Sequence, residues 1–111
     1  MEIKQNRDGE KLTVQLNGRL DAVTAIQLDK EISKMIDGVK DLTMDFANLA
    51  YIASAGLRIL LKLQKRMNIP QGNFKIINVN RDVKEVLDMT GFSRLLTIED
   101  TSAPKKLSFN F

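Results

Sequence analysis

Leu42-Thr43-Met44-Asp45-Phe46-Ala47-Asn48-Leu49-Ala50-Tyr51-Ile52-Ala53-Ser54-Ala55-Gly56-Leu57 is the stretch on which the reading of this chain turns. Leu42, Met44 and Phe46 alternate with Thr43 and Asp45, the period of two expected of a strand with one buried face. Further on the period changes. Leu57, Leu60, Leu61, Gln64 and Met67 mark one face of a helix that must stop before Pro70, because a proline ring disfavours the helical conformation in the residue preceding it. A short connection joins strand to helix and places Ser54 at the helix N-terminus. A hydroxyl there can accept from the unpaired backbone N–H groups of the first turn, with a typical worth of about 1 kcal/mol. A phosphate there would meet the same donors and the positive end of the helix dipole. The residues alone leave both roles open, cap or switch.

Outward from that stretch, strand and helix patterns alternate. Leu12, Val14 and Leu16 alternate with Thr13, Gln15 and Asn17, and the strand is expected to end at Asn17-Gly18. Residues 3–6 are expected to pair with it through a turn at Asp8-Gly9. Ala25, Leu28, Ile32 and Ile36 recur at helical spacing over residues 22–36, with Asp21 placed to cap the start and Gly38 just past the end. Residues 74–79 read as a buried strand, followed by a third helix with Val83, Val86 and Leu87 inward and Gly91 as its terminator. Leu95 to Ile98 read as a last strand. Two antiparallel strands followed by strand–helix repeats predict an α/β fold, a mixed sheet with helices packed on it, since parallel neighbours need crossovers and the crossovers supply helices. The 111 residues fit one domain, with residues 101–111 lacking a clear period and read as a possible tail.

Composition excludes several classes of function. There is no cysteine and no histidine, so disulfides, thiolate metal sites, thiol nucleophiles and imidazole bases are all unavailable. Seventeen basic against fourteen acidic residues leave a formal charge of +3, too evenly scattered for a nucleic-acid surface, with few aromatics to stack on bases. No signal peptide is evident at Met1-Glu2-Ile3-Lys4-Gln5, and no run of about 18 apolar residues suits a bilayer. A cytoplasmic protein that needs no cofactor and touches neither nucleic acid nor membrane is expected. Arg58, Lys62, Lys65 and Arg66 make a basic stripe on the side of the second helix away from its leucines, a solvated face or a partner's acidic patch. Leu49, Tyr51 and Ile52 read either as strand-end core or as an apolar rim. Met35, Met44 and Met67 occupy inward positions. Phe109 and Phe111 do not decide oligomeric state.

Residues 45–57, Asp-Phe-Ala-Asn-Leu-Ala-Tyr-Ile-Ala-Ser-Ala-Gly-Leu, resemble the signature of STAS domains, the bacterial anti-sigma factor antagonists. Gly18-Arg19-Leu20-Asp21 resembles the family's turn before the first helix, and residues 83–92, ending Met-Thr-Gly-Phe, resemble its late helix and turn. The resemblance covers roughly residues 1 to 100. It implies a non-enzymatic module that binds an anti-sigma factor serine kinase when unphosphorylated and is switched off by phosphorylation. Ser54 matches the phosphoacceptor, and the surface around Asp21, Ala53, Ser54, Ala55, Gly56 and Arg58 is the implied docking site. The family's usual motif is Asp-Ser-Ser/Thr-Gly-Leu. This chain departs from it at Ala53, Ala55 and Arg58. A constitutive adaptor or scaffold without phospho-switching is the alternative. Nucleotide binding ranks last, because no Gly-x-x-x-x-Gly-Lys loop is present.

Overall fold

The computed structural model describes residues 1–99; the expected tail at residues 101–111 lies outside them. Strands β1 (Glu2–Asp8) and β2 (Lys11–Leu20) form an antiparallel hairpin, and helix α1 (Ala22–Met35) then leads to β3 (Asp41–Ile52). Helix α2 (Ser54–Arg66), strand β4 (Asn73–Ile77), helix α3 (Arg81–Met89), the single turn α4 (Phe92–Leu95) and strand β5 (Ile98–Glu99) complete it. The strands lie side by side in chain order, and every pairing after the first is parallel. The mixed sheet expected from the sequence is therefore present.

Because successive parallel strands are neighbours added in one direction, right-handed crossovers carry their helices to one face of the sheet. The burial pattern agrees. Leu12, Leu42 and Phe74 are in register across three strands, as are Val14, Met44 and Ile76, and all six are buried. Thr13, Thr43 and Lys75, in register with each other on the opposite face, are not. Leu28 and Ile32 of α1 and Leu57, Leu60 and Leu63 of α2 close the core over the apolar face. Among the described residues no polar or charged side chain is buried.

Four features differ from expectation. β2 does not end at Asn17-Gly18 but continues to Leu20, because Gly18 adopts a φ of +121° that lets the strand bend and keep pairing with β3. β3 is not a five-residue strand followed by a connection. Its register against β2 slips twice, since Gln15 and Asn17 face Asp45 and Asn48, and Gly18 and Arg19 face Leu49 and Tyr51. Each slip inserts one extra β3 residue, a bulge, so the buried positions run Phe46, Leu49, Ile52 at intervals of three instead of two. Asp45 supports the first bulge by accepting from the Ala47 N–H at 2.9 Å. On α2 the core-facing residue is Leu63, with Leu61 half-buried. The expected last strand at Leu95–Ile98 is instead the turn α4 followed by the two-residue β5, because Gly91 at φ +82° stops α3 and the chain resumes one more helical turn before pairing with Ile76 and Ile77.

At the opposite end of α1, Arg7 closes the helix from the edge strand. Its guanidinium donates to the carbonyl oxygens of Met35 (3.1 Å), Asp37 (2.8 Å) and Gly9 (2.9 Å). A cation among carbonyls at a helix C-terminus satisfies orphan acceptors and opposes the negative end of the dipole.

Candidate functional site

The carboxyl ends of β2 and β3 lie side by side, with Leu20 opposite Ile52, and each strand passes directly into a helix. Asp21 and Ser54 are thus brought to the same edge by adjacent strands. The Ala53 N–H donates to the Leu20 carbonyl at 2.9 Å and ties the two strand-to-helix junctions together.

Asp21 caps α1 as expected. Its carboxylate accepts from the backbone N–H groups of Val23 (3.1 Å) and Thr24 (3.0 Å). Thr24 completes a capping box, its hydroxyl oxygen accepting from the Asp21 N–H at 2.8 Å while its hydrogen faces the Arg19 carbonyl at 2.7 Å. The Thr24 backbone N–H, and then the Thr24 hydroxyl, hold the Asp21 carboxyl below the usual carboxylate range, with help from the Val23 N–H and the Arg19 charge against some desolvation. The spacing Asp21-x-x-Thr24 was present in the sequence as the signal for this box.

Ser54 does not cap α2. The cap position belongs to Ala53, whose backbone is extended and whose side chain has no acceptor to offer. Ser54 is the first helical residue, exposed, with its hydroxyl free of any cap hydrogen bond. The first intrahelical bond runs from the Leu57 N–H to the Ala53 carbonyl at 3.1 Å, which leaves the amides of Ser54, Ala55 and Gly56 without an intrahelical acceptor. Arg58 stands one turn further on, exposed. Ala55 is half-buried and Gly56 fully buried. Gly56 is there because nothing larger fits: a Cβ would lie 2.7 Å from Leu20 Cγ and 3.0 Å from Ile52 Cγ1.

The surrounding surface is mixed. Leu49 and Ile52 are core, while Tyr51 is partly exposed with the Arg19 guanidinium 4.4 Å above its ring. The basic stripe divides: Lys62 pairs with Asp29 of α1 at 2.9 Å and Arg66 with Asp37, just past the end of α1, at 3.3 Å, so two of its four cations are already paired. Sequence reasoning passed over Val23 and Ile26, both strongly exposed on α1 beside the site; their three-residue spacing, offset from the core stripe, was the available signal. Among the described residues no cluster of acidic side chains is arranged to hold a metal ion, and no helix is long and apolar enough to cross a membrane.

These features define a two-layer α/β domain with a free serine hydroxyl at the start of a helix on the carboxyl edge of its sheet. The chain belongs to the STAS domain family, whose model matches residues 1–104. It is similar to the anti-sigma F factor antagonist of Paenibacillus polymyxa, 28% identical over 104 residues that cover 90% of this chain and 87% of that one. Its fold is shared with an anti-sigma factor antagonist from Mycobacterium paratuberculosis (TM-score 0.81, 19% identity, 96% and 92% of the two chains). It is shared too with the Bacillus cell fate determinant SpoIIAA in its phosphorylated form (TM-score 0.68, 17% identity, 95% and 97%).

Three outcomes follow from this geometry. Ser54→Ala is expected to leave stability within about 0.5 kcal/mol of the parent, whereas Ala53→Asp, which supplies the missing cap acceptor, raises it by about 1 kcal/mol; urea unfolding midpoints distinguish the two. Gly56→Ala, ordinarily favourable within a helix, should destabilise by about 1–3 kcal/mol through the clash with Leu20, and the penalty should shrink in a Leu20→Ala background. Asp21 has a folded pKa below its unfolded value, so its contribution is present above about pH 3.9 and is lost as pH falls through the folded value. Asp21→Asn keeps the cap without the titration and should flatten the acid limb of a stability–pH profile.

Proposed function

We propose that this chain is an anti-sigma factor antagonist: a binding module that docks an anti-sigma factor serine kinase through Asp21, Ala53, Ser54, Ala55, Gly56 and Arg58, and is released when that kinase phosphorylates Ser54. The observation that carries the reading is the Ser54 hydroxyl itself, exposed and with no capping duty, on a helix start held rigid by the Leu20 contacts. A serine that capped its helix would have to break that bond to react. This one is free to do so. The names of the curated relatives, and the existence of a phosphorylated form of SpoIIAA on the same fold, support the same assignment.

In the transfer, the Ser54 Oγ forms a bond to the γ-phosphorus of ATP, the bridging bond to ADP breaks, and the hydroxyl proton passes to a base of the kinase. The product adds about −1.5 to −2 charges. Within the domain that charge faces the free amides of the first turn, the dipole of α2 and Arg58, so the fold tolerates it. Against a partner surface fitted to a neutral serine, the same charge is desolvated without a counter-ion, and the complex separates. Ala53 removes the acidic neighbour that the family's usual motif places beside the acceptor and so lowers the local repulsion a phosphate meets.

The test is intact-mass analysis of the protein from its native host under phosphatase inhibition, with the peptide spanning residues 53–58 sequenced, alongside kinase binding by Ser54→Ala and Ser54→Asp. A single phosphate on Ser54 is expected, with Ser54→Asp weakening the complex by about 2 kcal/mol or more, roughly 30-fold in Kd. An unmodified protein in a complex indifferent to Ser54→Asp would sink the switch and establish the constitutive adaptor in its place.

A further inference from the structure

Between α1 and α2, beginning beside Ser54, runs an open groove of about 290 Å³ whose floor and walls are Ala22, Ala25, Ile26, Ala55 and Ile59. Val23 is 76% exposed and Ile26 60% exposed, and they stand three residues apart on the outer side of α1 with Lys30 one further turn along. Ile26 lines the groove, and Val23, one turn before it on the same helix, is likewise left to solvent; two large exposed aliphatic side chains beside an apolar groove mark an interaction surface. The groove lies at the lower end of the range of small-ligand pockets, about 300–1,000 Å³, and is open along its length, which suits a side chain of another protein better than a metabolite.

Its charges are one-sided. Asp29 lines the groove, but its two carboxylate oxygens are held by Lys62 at 2.9 and 3.1 Å. Lys30 and Arg58, on the same lining, have no ion-pair partner among the described residues. The charge left available along the groove is therefore positive at both walls. A symmetric contact between two copies centred here would set Lys30 and Arg58 near their own counterparts, and like charges opposed across an interface disfavour it.

We propose that the partner's contact extends from Ser54 into this groove, and that the groove takes an aliphatic or aromatic side chain of the partner carried on a segment with carboxylates on either side, one toward Arg58 and one toward Lys30. The inference rests on the reading of the chain as a docking module. It deepens that reading by stating the chemistry of the element that docks: an acidic, amphipathic segment. Ala55 and Arg58 belong to both surfaces, so a phosphate on Ser54 would compete with the partner's carboxylate for Arg58 in addition to repelling it. The groove thus links the affinity of docking to the state of the serine.

The test places the photo-crosslinking residue p-benzoylphenylalanine at Ile26, at Val23 and, as a control on the side of α1 turned away from the groove, at Glu31, in the full chain within its native host. Crosslinked peptides are identified by mass spectrometry. Ile26 and Val23, but not Glu31, are expected to capture one partner through a peptide that carries Asp or Glu within four residues of the crosslinked side chain, and Lys30→Glu with Arg58→Glu should cut the yield about tenfold. Capture of another copy of this chain, capture of lipid, capture of a neutral or basic peptide indifferent to the charge reversals, or no capture at either position would each overturn the proposal. The two readings fail separately: phosphate on Ser54 without capture at Ile26 and Val23 removes the groove and leaves the switch, whereas capture that persists unchanged in Ser54→Asp removes the switch and leaves the groove.

Discussion

The close approach of Leu20 to Gly56 governs the geometry of the whole carboxyl edge. Two strands pass into two helices side by side, and the second helix can begin where it does because its third residue has no side chain to hold it off Leu20 and Ile52. The Ala53-to-Leu20 hydrogen bond completes the junction from the backbone side. With both contacts in place the N-termini of α1 and α2 are fixed relative to each other, and Asp21, Ser54 and Arg58 have defined positions although all three side chains are at the surface. Packing beneath them, rather than contacts among them, holds them in place.

The two helix starts are treated differently by the sequence. α1 has a complete capping box from Asp21 and Thr24, whereas α2 has an alanine in the cap position and a serine one place too late to serve. The stability that a side-chain cap would have given α2 comes instead from burial of Leu57, Leu60 and Leu63 and from the ion pairs of Lys62 with Asp29 of α1 and of Arg66 with Asp37 just beyond it. Those pairs are exposed and individually worth little. Their larger effect is on the electrostatics of the neighbourhood, since they neutralise Asp29 and leave Lys30 and Arg58 to set the sign of the groove.

Much of this was legible in the residues. The helical spacings of Ala25, Leu28 and Ile32 and of Val83 and Leu87 report burial directly, and Asp21 is a cap by residue type, place and spacing at once. Three of the misread positions share one cause, a tertiary contact that overrides a local preference. Asn17-Gly18 has turn chemistry, yet a parallel partner strand holds it in the sheet. Phe46, Leu49 and Ile52 break the period of two because two bulges shift β3 against β2, and a bulge follows from the register with a distant neighbour. Ser54 is a better cap by propensity than Ala53, but the hydrogen bond from Ala53 to Leu20 places the end of the extended chain one residue earlier. The groove between α1 and α2 was the least visible feature, since it exists only once the two helices are packed.

Parallel strands with their return helices on one face have an electrical consequence. α1, α2 and α3 all run against the strands, so their positive ends gather at the Ser54 edge and their negative ends at the far edge, where Arg7, Lys34, Lys65 and Arg66 stand as counter-charges. The helix-end field falls off within about a turn, so an anion meets it only on close approach to the Ser54 edge, and salt weakens it further. The gathering of three helix N-termini at one edge is thus a property of the topology, shared by every residue of the three helices and erased by no single substitution.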